Sequence, residues 1–178
     1  MGHDNLWAPW RIKYIQDLSG QPSTEDNECF ICHNLKNPQD DEKNLVLWRT
    51  ETSIIILNRF PYNNGHLLIA PVRHIPDLEK ANDDELLELT KLIRESQKAL
   101  SLAIKPHGFN IGMNFSRCAG AGLPGHLHIH VVPRWDGDTN FMSVCSDTKV
   151  ISQSLSELLD LLKQVSKENN LPNLRGNE

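Results

Sequence analysis

His126, His128 and His130 alternate with Leu127, Ile129 and Val131. A period of two places the three imidazoles on one face of a β-strand and the aliphatic side chains on the other. Neutral imidazole is a metal ligand, a nucleophile and a general base near neutral pH, so this spacing points to phosphate chemistry, metal binding or both. One histidine in a strand is most often structural. Three in register, beside the glycine-rich run of residues 119–125, tip the balance toward a site. That run reads as a flexible loop whose backbone amides can approach an anion, and Pro133, lacking an N–H, is expected to end the strand.

Cys29 and Cys32 supply two soft ligands at the spacing of a zinc knuckle, but a tetrahedral structural site needs two more. His33, His74 and one histidine of the alternating stretch are the candidates. The chain has four cysteines, and Cys118 and Cys145 read as ordinary thiols. No apolar run approaches the roughly 18 residues of a membrane span, and residues 1–5 lack the basic-then-apolar layout of a secretory signal. A cytoplasmic protein is therefore expected, with reduced cysteines. A net charge of -5 disfavours a stable nucleic-acid partner held by backbone charge, while leaving a small nucleotide open.

With 178 residues, 39% of them hydrophobic and 23% charged, the chain suits one soluble domain with extensions. Residues 6–15 carry Trp7, Pro9 and Trp10 and apolar residues spaced for a short helix. The polar tracts at 19–28 and 34–43 should be loop, leaving the cysteine pair on a loop-borne knuckle. Residues 45–48, 53–57 and 66–70 are short β-rich runs, the last two joined through Asn64-Gly65 as antiparallel neighbours. Asn82 to Glu85 resembles a capping box opening the longest helix, stopped by Pro106 and Gly108. Residues 108–115 form a further strand. Leu155, Leu158, Leu159, Leu162 and Val165 mark a C-terminal helix, with a frayed end from Asn169.

The stretch His126-Leu127-His128-Ile129-His130-Val131-Val132 resembles the histidine triad (HIT) family pattern. Residues 6–11, Leu-Trp-Ala-Pro-Trp-Arg, are similar to a segment of its longer bacterial members. The resemblance implies an α+β, HIT-like antiparallel sheet of about five strands with one long helix and a C-terminal helix. The chain would divide into an N-terminal extension (1–28), a HIT domain including the zinc knuckle (29–145), and a C-terminal helix and tail (146–178). It further implies a structural zinc held by Cys29, Cys32, His74 and His126, with His128 as the nucleophile forming a covalent nucleotidyl-histidine and His130 assisting. Asn58 matches the ribose-binding position, and His66 lies near the phosphates or supports the site. Asn114, Ser116, Gly120 and Gly122 fall where the family meets phosphate.

One departure is informative. Many HIT hydrolases carry Gln four residues before the first triad histidine, where this chain has Gly122. Together with Pro133-Arg134-Trp135 and Asn140-Phe141, that looks more like the bacterial branch related to diadenosine tetraphosphate phosphorylase, in which inorganic phosphate is the acceptor. The expected activity is nucleotidyl hydrolysis or transfer at the α-phosphate of a purine nucleotide or dinucleoside polyphosphate, by a homodimer. Two alternatives stand beside it: a nucleoside phosphoramidate or nucleotidyl-amino-acid hydrolase, and a nucleotide-binding regulatory module without turnover.

Overall fold

A computed structural model of the chain describes residues 29–138, 151 and 153–175. The 1–28 extension with its aromatic segment, the residues around Asn140 and Phe141, and Cys145 lie outside the described residues.

Five antiparallel strands form one sheet: β1 (Val46–Arg49), β2 (Ser53–Leu57), β3 (Leu67–Pro71), β4 (Gly108–Met113) and β5 (Ile129–Arg134), in the order β1-β2-β3-β5-β4. Every residue of β2 and β3 is buried, as expected of apolar strands covered on both faces. The faces are covered differently. Ile55, Leu57, Leu67, Ile69, Ile129 and Val131 join the main core with the helices α2 (Asp83–Ile104) and α3 (Leu155–Glu168). Ile54, Ile56 and Ala70 pack instead against Cys29, Ile31 and Cys32 at the start of helix α1 (Phe30–Lys36). Cross-strand partners share a face. Ile56 pairs with Leu68, Leu68 with His130 and His130 with Gly112, which puts His130 on the α1 side of the sheet.

Helix α2 begins where the sequence predicts. Asn82 Oδ1 accepts the Glu85 N–H at 2.9 Å and Glu85 Oε2 accepts the Asn82 N–H at 2.9 Å, a reciprocal cap that contributes about 1 kcal/mol. The helix ends at Lys105 in the left-handed conformation, φ 47°. Helix α3 is capped by Ser154 and joined to β1 by Trp48 Nε1–H donating to Ser166 Oγ at 3.1 Å. Its leucines complete the main core.

Four local expectations are corrected. The paired strand begins at Ile129, after His126 and His128, and Pro133 sits within it opposite Phe109. Pairing of β3 with β5 stops at Leu67–Val131, and the Pro133 carbonyl accepts from Asn63 Nδ2 at 3.0 Å, so the missing N–H faces a side on which no strand remains to be paired. The cysteine pair is helical, not loop-borne: Cys29 is the N-cap of α1. The 34–43 tract accordingly continues α1 to Lys36 and adds a 3-10 turn, Pro38–Asp40. Finally, the chain after Asn169 is docked. Leu171 is buried in the core, the Asn173 N–H donates to Glu95 Oε2 at 2.9 Å, and Arg94 Nη2 donates to the Asn173 carbonyl at 3.0 Å.

Candidate functional site

Capping by Cys29 turns the cysteine spacing into a ligand pair. Its Sγ accepts the Cys32 N–H at 3.4 Å, which sets both sulfurs at the first turn of α1. His74 follows the end of β3 and His126 precedes β5, and the two approach each other because the Leu127 N–H donates to the Ile75 carbonyl at 2.6 Å. Cys29 Sγ lies 3.3 Å from His126 Nδ1 and Cys32 Sγ 3.1 Å from His74 Nδ1. All four donor atoms fall within 4.8 Å of one another. The remaining candidate, His33, is exposed and outside this cluster.

The His126 ring is oriented for ligation. Its Nε2 lies 2.8 Å from the Pro71 carbonyl, a pure acceptor, so Nε2 carries the proton and the Nδ1 lone pair points at the sulfurs. A closed set of two sulfurs and two imidazole nitrogens fits a tetrahedral structural zinc site. Gly125 is confined beside it, since a Cβ there would lie 3.3 Å from His74 Nε2.

The same argument fixes the other triad rings. His128 Nδ1 lies 2.7 Å from the His126 carbonyl; the proton is therefore on Nδ1 and the lone pair on Nε2. Burial lowers the pKa of His128, opposed by its hydrogen bond to His126. The lowered pKa favours a neutral imidazole at His128, with its free lone pair on Nε2.

Behind His130 stands His66, with no exposed surface. The Tyr62 N–H donates to His66 Nδ1 at 3.0 Å, and Asn58 Nδ2 lies 3.2 Å from the same nitrogen. Nδ1 must accept, so neutral His66 carries its proton on Nε2, which lies 2.9 Å from His130 Nδ1. That bond makes His130 Nδ1 an acceptor and leaves neutral His130 with Nε2–H. Burial, reinforced by the nearby His130 and His128, pushes the His66 pKa down to about 3, so His66 stays neutral and the order of protons along the pair is set. Beyond it, Asn114 Nδ2 lies 3.4 Å from His130 Nε2; with Nε2 protonated, the Asn114 amide is turned so that its Oδ1 accepts that proton.

Other expected residues take less direct positions. Asn58 braces the β2–β3 loop, its Oδ1 accepting the Phe60 N–H at 2.9 Å. His66 is fully buried and touches the triad through His130. The glycine-rich loop turns its amides inward: the Gly120 N–H donates to the Arg117 carbonyl at 2.9 Å and the Ala121 N–H to the Ser116 carbonyl at 3.2 Å. Ser116 itself is exposed and holds φ 66°, and Gly122 is partly exposed at the end of this turn. The amides of Gly120 and Ala121 are therefore engaged in closing a 3-10 turn instead of facing an anion.

Three residues were not anticipated from the sequence. Tyr62 stacks on His130, ring centroids 5.6 Å apart and planes 22° apart. Gly112, opposite His130, leaves the sheet bare, since a Cβ there would meet nothing within 4 Å. The Pro71 carbonyl sets the His126 tautomer. Tyr62 lies in a segment that reads as a hairpin turn, and Gly112 and Pro71 are unusual as strand residues, but which histidine each one faces is set only by the tertiary pairing.

A HIT domain family model matches residues 39–137. The chain is 37% identical over 158 residues, 88% of this chain and 81% of the relative, to AP-4-A phosphorylase of Mycobacterium tuberculosis H37Rv. It is 32% identical over 93 residues, 52% of this chain and 50% of the relative, to the asymmetrical bis(5'-nucleosyl)-tetraphosphatase of Schizosaccharomyces pombe. A zinc-bound histidine triad family protein from Mycobacterium smegmatis superposes with a TM-score of 0.66 at 21% identity, covering 84% of this chain and 100% of that one.

Proposed function

The chain belongs to the HIT domain family, and from that premise we propose that it transfers a nucleotidyl group from a dinucleoside polyphosphate, through His128, to inorganic phosphate. The observation that carries the reading is the His128 Nδ1–H bond to the His126 carbonyl, which leaves Nε2 as the only lone pair the ring can offer. In the first half-reaction Nε2 attacks the α-phosphorus, the N–P bond forms and the bond to the bridging oxygen breaks, releasing the polyphosphate nucleotide. The ring gains positive charge as it is phosphorylated, and the His126 carbonyl at the opposite nitrogen stabilises it. His130 Nε2–H donates to the phosphate or to the departing oxygen, with Asn114 beside it; Ser116 and Gly122 are assigned to phosphate and Asn58 to ribose. In the second half-reaction a phosphate oxygen attacks the same phosphorus, the N–P bond breaks and His128 is regenerated, so that diadenosine tetraphosphate and phosphate yield ADP and ATP. The choice of phosphate over water is supported by the mycobacterial relative's name and by Gly122 at the position where many hydrolases carry Gln.

Cys29, Cys32, His74 and His126 would hold a zinc ion, whose contribution when bound is structural, a cross-link with no open coordination position. His126 is then a ligand through its ring and a support of His128 through its carbonyl, so the cross-link fixes the acceptor that orients the nucleophile. Such a site requires reduced thiolates, which fits a cytoplasmic setting. A homodimer is favoured by β4, an outer strand of the sheet carrying Ile111 at 41% exposure, since an open strand edge is a template for pairing with a second copy.

Isotopically labelled phosphate tests the reaction. The label is expected in ADP with the wild type and absent with His128→Ala. Unlabelled AMP and ATP from the wild type would make the protein a hydrolase, and no turnover of diadenosine tetraphosphate would reject this substrate.

A further inference from the structure

We propose that Tyr62, with Phe60 beside it, is a stacking platform for the purine of the departing nucleotide, a second base subsite on the side of His130 remote from the metal cluster. The inference rests on the reading of the substrate as a dinucleoside polyphosphate, which has two bases, one of which leaves. It also rests on three observations.

First, the order of groups has a direction. His126 faces the cysteines, the His128 and His130 rings follow with centroids 5.0 Å apart, and Tyr62 stacks on His130. The departing nucleotide leaves opposite the attacking nitrogen, toward the donor Nε2–H of His130. Tyr62 lies along one face of that ring. Second, both aromatic side chains are open to solvent. Tyr62 is 45% exposed although it packs on His66 and His130, and Phe60 is 68% exposed, the largest exposure of any large hydrophobic among the described residues. Third, the loop holding them is braced. The Phe60 N–H is bound by Asn58 Oδ1 at 2.9 Å and the Tyr62 N–H by His66 Nδ1 at 3.0 Å. A ring so presented loses little freedom when a base stacks on it. Stacking on an aromatic ring also tolerates any base, since every base has a π face.

The test compares diadenosine tetraphosphate with adenosine 5'-tetraphosphate, whose leaving group has no base. The wild type is expected to favour the dinucleotide in kcat/KM. Tyr62→Leu should reduce that preference about tenfold, the scale of one base–aromatic stack; Tyr62→Phe should retain it, and Phe60→Ala should reduce it by a smaller factor. Equal losses on both substrates in Tyr62→Leu would mean that the ring only supports His130 and would overturn the subsite, as would an unchanged preference. If the wild type turns over neither compound, the proposed reaction has failed, and the subsite is judged by binding. On His128→Ala protein, the ratio of Kd for diadenosine tetraphosphate to Kd for AMP should rise about tenfold with Tyr62→Leu; an unchanged ratio overturns the platform.

Discussion

The proton order along the His66–His130 pair is informative because one end is fixed by a group with no choice. The Tyr62 N–H can only donate, so His66 Nδ1 accepts and its Nε2 donates to His130. Protonating His66 would leave the Tyr62 N–H facing another N–H in a buried site, in line with its pKa of about 3 against an ordinary 6.5. The consequence for stability has a definite sign. Above pH 6.5 the group is neutral folded and unfolded and contributes nothing; between 6.5 and about 3 the unfolded chain binds a proton that the folded chain refuses. Stability therefore falls with falling pH, by about 1.4 kcal/mol per unit from this group. Denaturant titrations of the wild type and His66→Gln at pH 7 and pH 5 should show the wild type losing about 2 kcal/mol more than the variant. Equal losses would mean that His66 is charged in the folded protein. At this scale the sequence was eloquent about which residues matter and silent about their tautomers. Alternation marks His126, His128 and His130, but the carbonyls of Pro71 and His126 that fix the protons of His126 and His128, and the Tyr62 N–H that fixes His66, are chosen by the tertiary fold.

Elements were legible in proportion to how local their causes are. The capping box of α2 is four residues long and is found as read. The two-residue period is visible in the histidines, of which only His130 lies in β5, whereas the length of β5 is not, because a proline is admitted only beyond the last pair with β3. Cys29 as a helix cap was hidden by its residue type, since Ser, Thr, Asp and Asn are the usual caps. The β2–β3 loop combines both kinds of cause. Gly65 holds φ +78°, which its place after Asn64 suggests, but it also lies against α2 and β5: a Cβ would stand 2.7 Å from Ile104 Cδ1, 3.0 Å from Leu100 Cδ2 and 3.1 Å from Pro133 Cγ. Gly65→Ala incurs both the left-handed penalty and a clash, together about 2–4 kcal/mol. A lowered midpoint in thermal or denaturant unfolding is expected. Because the displaced loop carries Tyr62 and leads into His66, kcat/KM should fall as well; a variant as stable and as active as the wild type would show the loop to be free of α2.

At the scale of the whole molecule the two faces of the sheet have different work. The helix face holds the main core, in which α2, α3 and Leu171 all take part. Among the described residues the opposite face has the small cluster around Ile54, Ile56 and Ala70, packed on the short α1, and there the four-donor cluster joins three segments, 97 residues apart at its widest. A metal that binds only the folded arrangement stabilises it by linkage. Its removal should therefore loosen the α1 face and spare the helix core. Treatment with a strong chelator, or Cys32→Ala, is expected to lower Tm by about 10 °C, the equivalent of about 3 kcal/mol for a chain of this length, while most of the far-UV helical signal persists below the transition. Nucleotidyl transfer should decline together with metal content, because the His126 carbonyl that orients His128 loses the anchor of its own ring. Full activity in protein shown by elemental analysis to be metal-free would separate the two sites, leaving the four donors as a packing feature and His128 oriented by the sheet alone.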